Sequence, residues 1–208
     1  MRACPEGPIR HVLFDADGVI QDVPGGWYAA IEPYLGERAR DFLHETWAEG
    51  QTTLAGRGDY LPMLAASLHR WGVEAPVEQV YADVWCRIEV VEPTLAFVRE
   101  LKASGYGVHL GTNQESYRAS YMKANLGYDD LFDVCCYSCE LGRMKPAPGF
   151  FERAVARIGA APGEVLFIDD TEPNVVAARV AGLAAIHWDF TQGQQTLVDQ
   201  VRGLGLRW

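Results

Sequence analysis

Two aspartates stand two residues apart in Phe14-Asp15-Ala16-Asp17-Gly18-Val19, and two more are adjacent in Phe167-Ile168-Asp169-Asp170-Thr171. Carboxylates this close repel one another unless a cation lies between them or one takes a proton. No cysteine or histidine falls among them, so the donor set is all oxygen, the kind that suits a hard cation such as Mg2+. Mg2+ keeps several waters and shares its shell with phosphate oxygens, which makes a phosphate the natural partner. Thr112 and Asn113 add neutral hydrogen-bonding groups. The chain has only three lysines, and one of them, Lys145, stands in Arg143-Met144-Lys145-Pro146 just before an expected helix. A point charge there can balance a phosphoryl group and a carboxylate. Together these residues form the inventory for phosphoryl transfer through a covalent aspartyl intermediate.

These side chains act together only if the fold brings distant segments to one place. His11-Val12-Leu13-Phe14 is a short β-prone run that stops at acids and glycine. Four further runs lie at 107–111, 133–137, 164–168 and 183–187. Helical spacing separates them: Pro93 to Ser104, Gln114 to Leu126, Pro148 to Ile158 and Pro173 to Ala181. Each is followed by glycine, and three open on proline, the expected helix punctuation. Strands alternating with helices of this length predict an α/β fold, a parallel five-stranded sheet with helices on both faces. Sites in such sheets form beyond the carboxyl ends of the strands, where Asp15/Asp17, Thr112/Asn113 and Asp169/Asp170 all fall.

Residues 21–90 break the alternation. They show no clear strand, and Trp27 to Leu35, Ala39 to Trp47, Tyr60 to Trp71 and Val77 to Ile88 all carry helix-like spacing. Seventy residues are too many for a connection, so the segment reads as an inserted helical domain. The expected division is 1–20 with 91–208 as the core and 21–90 as the insertion.

With these motifs in place, the sequence resembles the haloacid dehalogenase superfamily of phosphatases over nearly its whole length. Phe14-Asp15-Ala16-Asp17-Gly18-Val19, Leu110-Gly111-Thr112-Asn113, Met144-Lys145-Pro146 and Phe167-Ile168-Asp169-Asp170-Thr171-Glu172-Pro173-Asn174 match the family's four motifs in order. The resemblance implies a Rossmann-like core with a helical cap of the first type. It implies that Asp15 is the nucleophile and Asp17 the general acid, then base. Thr112, Asn113 and Lys145 would hold the phosphoryl oxygens, with Lys145 also neutralising Asp15. Mg2+ would be bound by Asp15, the main-chain carbonyl of Asp17 and Asp170, with Asp169 close by. Dehalogenases lack the second aspartate of the first motif, so Asp17 disfavours that branch. Phosphonate-cleaving members use a cap lysine, and residues 21–101 contain none. The expected activity is a Mg2+-dependent phosphatase acting on a small phosphorylated metabolite such as a sugar phosphate. A hexose-phosphate mutase and a non-catalytic phosphate-binding regulator are the alternatives. In relatives with this cap, the loop matching Leu54-Ala55-Gly56-Arg57-Gly58-Asp59-Tyr60 faces the active site. Arg57 is therefore a candidate substrate contact, and Gln21 and Trp27 form a second candidate pair.

Other features have plainer explanations. Cys136-Tyr137-Ser138-Cys139 has Cys-x-x-Cys spacing but no second Cys/His pair to complete a zinc site, so buried free thiols are expected. Four of the six tryptophans (Trp27, Trp47, Trp71, Trp85) fall in the insertion and are expected to build its core. The 208 residues carry a formal charge of −10, which argues against a nucleic-acid or anionic-membrane surface. No apolar run reaches the roughly 20 residues of a membrane span. The opening residues Met1 to Pro8 lack a signal-like apolar stretch, and five cysteines fit free thiols in a reducing cytoplasm.

Overall fold

The computed structural model describes residues 8–208. Cys4 and most of the segment read for a signal peptide lie outside them. Strand β1 (His11–Phe14) is followed by a two-residue strand β2 (Gln21–Asp22), then by helices α1 (Gly26–Leu35), α2 (Ala39–Leu54), α3 (Tyr60–Arg70) and α4 (Val77–Val84). A second two-residue strand, β3 (Glu89–Val90), leads into α5 (Glu92–Ala103), β4 (Gly107–Thr112), α6 (Ser116–Asn125) and the single turn α7 (Tyr128–Leu131). The chain continues through β5 (Val134–Tyr137), α8 (Ser138–Leu141), α9 (Pro148–Ile158), β6 (Val165–Asp169), α10 (Glu172–Val180), β7 (Ala184–His187) and α11 (Gln194–Gly203).

The five longer strands form one parallel sheet in the order β5-β4-β1-β6-β7. β1 lies at its centre, with Phe14 in register with Leu110 on one side and Ile168 on the other. Its residues Val12, Leu13 and Phe14 are fully buried, as a strand covered on both faces requires. Odd and even positions feed two separate cores. Val12 and Phe14 pack with α5, α6 and α11, while Leu13 packs with Phe150, Phe151 and Phe167 under α9. The shared register brings the ends of β1, β4 and β6 to one edge, which is why Asp15, Thr112 and Asp169 become neighbours.

Helices α1 to α4 bury a third, separate apolar cluster that includes Ile31, Phe42, Leu43, Leu64, Val80 and Trp85. The segment expected to hold no strand does contain two short ones at its borders. β2 and β3 pair antiparallel, Gln21 with Val90 and Asp22 with Glu89, where the insertion leaves and rejoins the core. Two residues are too few to produce a readable alternation; tertiary pairing fixes them. The helix α11 also lacked a forecast, since its polar face dominates Gln194-Gln195-Thr196.

Candidate active site

Asp15 follows the last residue of β1, and its backbone N–H still bonds to the Ile168 carbonyl at 2.9 Å. Lys145 is buried between two acids, with Nζ 2.7 Å from Asp15 Oδ1 and 2.6 Å from Asp169 Oδ2. Burial opposes its charge, but Asp15 and Asp169 outweigh that and push the ammonium pKa upward. Asp15 Oδ1 also accepts from the Ala16 N–H at 2.7 Å. Both interactions fall on Oδ1, leaving Oδ2 turned to other partners. Burial raises the Asp15 pKa well above the usual carboxylate range, and the charges of Asp169 and Asp170 add to the rise against the pull of Lys145.

The two acids ending β6 differ. Asp169 is fully buried and accepts from Lys145, from the Thr171 N–H at 2.8 Å and from Asn174 Nδ2 at 3.0 Å and 3.2 Å. Asn174 therefore positions an acid from the first turn of α10. The Asp170 carboxylate accepts from the Thr171 hydroxyl at 3.1 Å, its main-chain carbonyl meets His187 Nε2 at 2.7 Å, and burial followed by the nearby Asp169 charge raises its pKa. Oxygens of Asp15, Asp169 and Asp170 all lie within 4.8 Å of one another. Three carboxylates against one lysine leave two negative charges, and hard oxygen donors at that spacing fit a divalent cation such as Mg2+. Space is reserved for Asp170 as well: a Cβ on Gly18 (φ +78°) would stand 2.6 Å from its Oδ2.

Asp15 and Asp17 do not share partners. The chain turns after Asp15, and Asp17 meets Arg118 of α6 in a two-pronged pair at 2.5 Å and 2.8 Å. Gln21 donates to its Oδ1 at 2.9 Å and Gln114 to its Oδ2 at 2.8 Å. Burial would raise the Asp17 pKa, but Arg118 and the two amides more than offset it, so the carboxylate is held below its usual range. Arg118 also donates through Nε to the Trp85 carbonyl at 2.7 Å and lies 4.9 Å from the centre of the Trp27 ring. It thus ties α6 of the core to two residues of the helical insertion.

Thr112 ends β4 buried, its hydroxyl accepting from Gln114 at 3.0 Å. Asn113 spends its side chain on the Lys145 main chain, accepting from the N–H at 2.8 Å and donating to the carbonyl at 3.0 Å. That pair of hydrogen bonds holds the lysine segment in place, which leaves one Nδ2 hydrogen and the backbone of Asn113 for a phosphate. The loop bearing Arg57 does reach the core: a Cβ on Gly56 would stand 2.1 Å from the Cys139 carbonyl oxygen. Its ends, Leu54 and Tyr60, line the cavity between insertion and sheet, while Arg57 is exposed and lines a shallow outer groove with Arg143.

The cavity has a volume of about 170 Å3. Trp27, Trp47, Leu54, Tyr60 and Trp85 line it from the insertion, and Asp17, Gln114, Glu115 and Arg118 from the core. Of the four tryptophans expected to build the core of the insertion, Trp85 is buried in its apolar cluster and Trp27 and Trp71 pack against it, while Trp27, Trp47 and Trp85 also form this wall. Gln114, Glu115 and Arg118 were not legible as site residues. Their signal was weak: Gln114 directly follows Asn113, and Arg118 lies one helical turn further along. The cysteines 86, 135, 136 and 139 are free thiols, with Cys136 buried in β5 and Cys139 in α8. Among the described residues no helix is long and apolar enough to cross a membrane.

Sheet order, acid cluster and buried lysine define a hydrolase of one family. The model of haloacid dehalogenase-like hydrolases matches residues 9–182, and the chain belongs to that family. Among curated relatives, mouse bifunctional epoxide hydrolase 2 is 25% identical over 218 residues, covering 94% of this chain but only 39% of that protein. Phosphoglycolate phosphatase of Yersinia pestis is 25% identical over 188 residues, covering 86% of this chain and 80% of the relative. Among solved structures, a HAD-like family hydrolase from Porphyromonas gingivalis superposes with a TM-score of 0.77 at 20% identity, covering 94% of this chain and 98% of its own. A HAD family enzyme from Bacteroides thetaiotaomicron, solved with magnesium and inorganic phosphate, superposes at 0.73 with 19% identity over 86% of this chain and 93% of its own.

Proposed function

We propose that this protein is a phosphoric monoester hydrolase that releases phosphate from a small phosphorylated metabolite through an aspartyl phosphate on Asp15. The observation that carries the reading is Lys145, buried between Asp15 and Asp169 with Asp170 alongside. The phosphatases among its relatives support it. Asp15 Oδ2 bonds to phosphorus as the ester P–O bond breaks, and the departing oxygen takes a proton from Asp17. Water, losing a proton to Asp17, then attacks the same phosphorus, which returns Asp15 and frees phosphate. Lys145 balances charge on Asp15 and the transferring group, and Thr112 with the backbone of Asn113 orients phosphoryl oxygens. The acid role of Asp17 requires its pair with Arg118 to loosen, because that pair favours the ionised form.

Asp15, Asp170 and the Asp17 carbonyl would hold Mg2+, with the more committed Asp169 beside them; when bound, the ion would neutralise charge building on the phosphoryl group. The insertion acts as the cap, closing over the reacting groups and excluding water. Free thiols suit a reducing cytoplasm.

The test is hydrolysis of a generic aryl phosphate by purified protein with Mg2+. Release of phosphate, its loss with EDTA, and its loss in Asp15→Asn support the reading. Full activity in Asp15→Asn, or an isomerised sugar phosphate accumulating without free phosphate, would overturn it.

A further inference from the structure

We propose that the alcohol released with phosphate is aromatic, its ring held between the tryptophans of the cap. This rests on the phosphatase reading above and names the substrate class for that site. Four observations carry it.

The first is the wall. Trp27 meets Trp47 edge-on at 6.3 Å and Trp85 at 6.3 Å, and Tyr60 meets Trp85 at 5.7 Å, so the rings already pack in the geometries aromatic partners prefer. With Leu54 they make the cap side of the cavity mostly apolar, Gln51 being the polar side chain among them.

The second is the state of the polar groups opposite. Both oxygens of Asp17 accept from Arg118 and a glutamine, as given above. Gln114 donates to Asp17 and Thr112 and accepts from Arg118 at 2.9 Å. Glu115 caps α6 through the Tyr117 and Arg118 N–H groups and accepts from the Tyr81 hydroxyl. Asn113 is spent on the Lys145 main chain and the phosphate, so of the polar side chains here only the Gln51 amide, besides the Tyr60 hydroxyl, is left for a polyhydroxylated sugar. Its other hydroxyls would lack partners, and each such loss lowers affinity by about tenfold or more. Arg118, the one cation lining the cavity among the described residues, is committed to Asp17, Gln114 and the Trp85 carbonyl. A second anionic group, such as the carboxylate of a phosphorylated hydroxy acid, finds no free counter-charge.

The third is an orphan. Tyr60 is 4% exposed and lines the cavity, and among the described residues its buried hydroxyl has no hydrogen-bond partner. A small shift of the ring would bring that hydroxyl to one polar atom on the ligand. The fourth is size: about 170 Å3 compares with apolar cavities of roughly 150 Å3 that accept a benzene ring.

The experiment compares kcat/KM, with Mg2+ present, for benzyl phosphate, 4-hydroxybenzyl phosphate, glucose 6-phosphate, 2-phosphoglycolate and acetyl phosphate. The benzyl esters are expected to exceed the sugar phosphate and phosphoglycolate by a hundredfold or more. Trp47→Ala, at the partly exposed rim, is expected to lower the benzyl-to-acetyl ratio by tenfold or more, chiefly through KM. Tyr60→Phe is expected to lower the hydroxybenzyl-to-benzyl ratio by about fivefold. The substrate ranking needs no variant, so a misfolded variant does not decide the matter. Preference for glucose 6-phosphate or phosphoglycolate overturns the aromatic assignment and leaves the phosphatase reading standing. Failure to release phosphate from all five, acetyl phosphate included, overturns the phosphatase reading and this inference with it.

Discussion

Asp15 and Asp17 are chemically identical and two residues apart, yet the chain gives them opposite company. Asp15 faces a lysine shared with one further acid, Asp169; Asp17 faces a guanidinium and two amides. Replacing Asp17 with Asn keeps the shape and removes the transferable proton, so kcat should fall by about 10²–10⁴-fold while Mg2+ affinity changes little, as titration calorimetry would measure. Unchanged turnover would remove Asp17 from the chemistry. Arg118→Ala strands the Asp17 carboxylate and the Trp85 carbonyl. Breaking a buried pair costs roughly 3–5 kcal/mol, and the 31% exposure of the Asp17 side chain places this one toward the lower end, to be read from urea denaturation. At this scale the four acids and Lys145 were legible because motif spacing names them. Arg118 was not, because its partner lies 101 positions away and a helical arginine has no signature of its own.

Elements decide whether these residues meet. Helices α5, α6, α9 and α10 were legible within two residues from apolar spacing and their proline and glycine borders, and the five long strands from short apolar runs. The antiparallel pairing of β2 with β3 and the inward aim of Trp27, Trp47 and Trp85 were not, since both follow from how the insertion seats on the sheet. The turn after β1 offers a direct test. Gly18 adopts φ +78°, and a methyl there would crowd Asp170. Gly18→Ala should therefore weaken Mg2+ binding by tenfold or more in calorimetry and lower kcat in step. Equal Mg2+ affinity in the variant would show that Asp170 does not hold the ion.

For the whole molecule, one buried pair sets an acid limit remote from the chemistry. His11 Nδ1 and His109 Nε2 are 3.0 Å apart at the opposite end of the strands, and the other ring nitrogen of His109 is buried with no partner among the described residues. Burial, and then the neighbouring His11, lowers the His109 pKa from 6.5 to about 4. Between those values the unfolded chain binds a proton that the folded chain refuses, so folding stability falls as pH drops from about 6.5 to about 4. Urea denaturation at pH 7 and pH 4.5 should show the native protein losing more stability than His109→Gln over that interval. Equal losses would assign the acid sensitivity to other groups.

The short ladder of Gln21 with Val90 is more than a border between two lobes. Gln21 grips Asp17 with its amide nitrogen and receives the Tyr128 hydroxyl on its amide oxygen at 2.9 Å, while Arg118 grips the same carboxylate and the Trp85 carbonyl. The junction and the Asp17 carboxylate are mechanically one object. A chimera that imports a foreign lid must therefore keep residues 21 and 118 and the backbone around 85 in their present geometry. A splice cut cleanly at the visible seam would import a foreign lid and misalign the proposed proton donor in the same stroke.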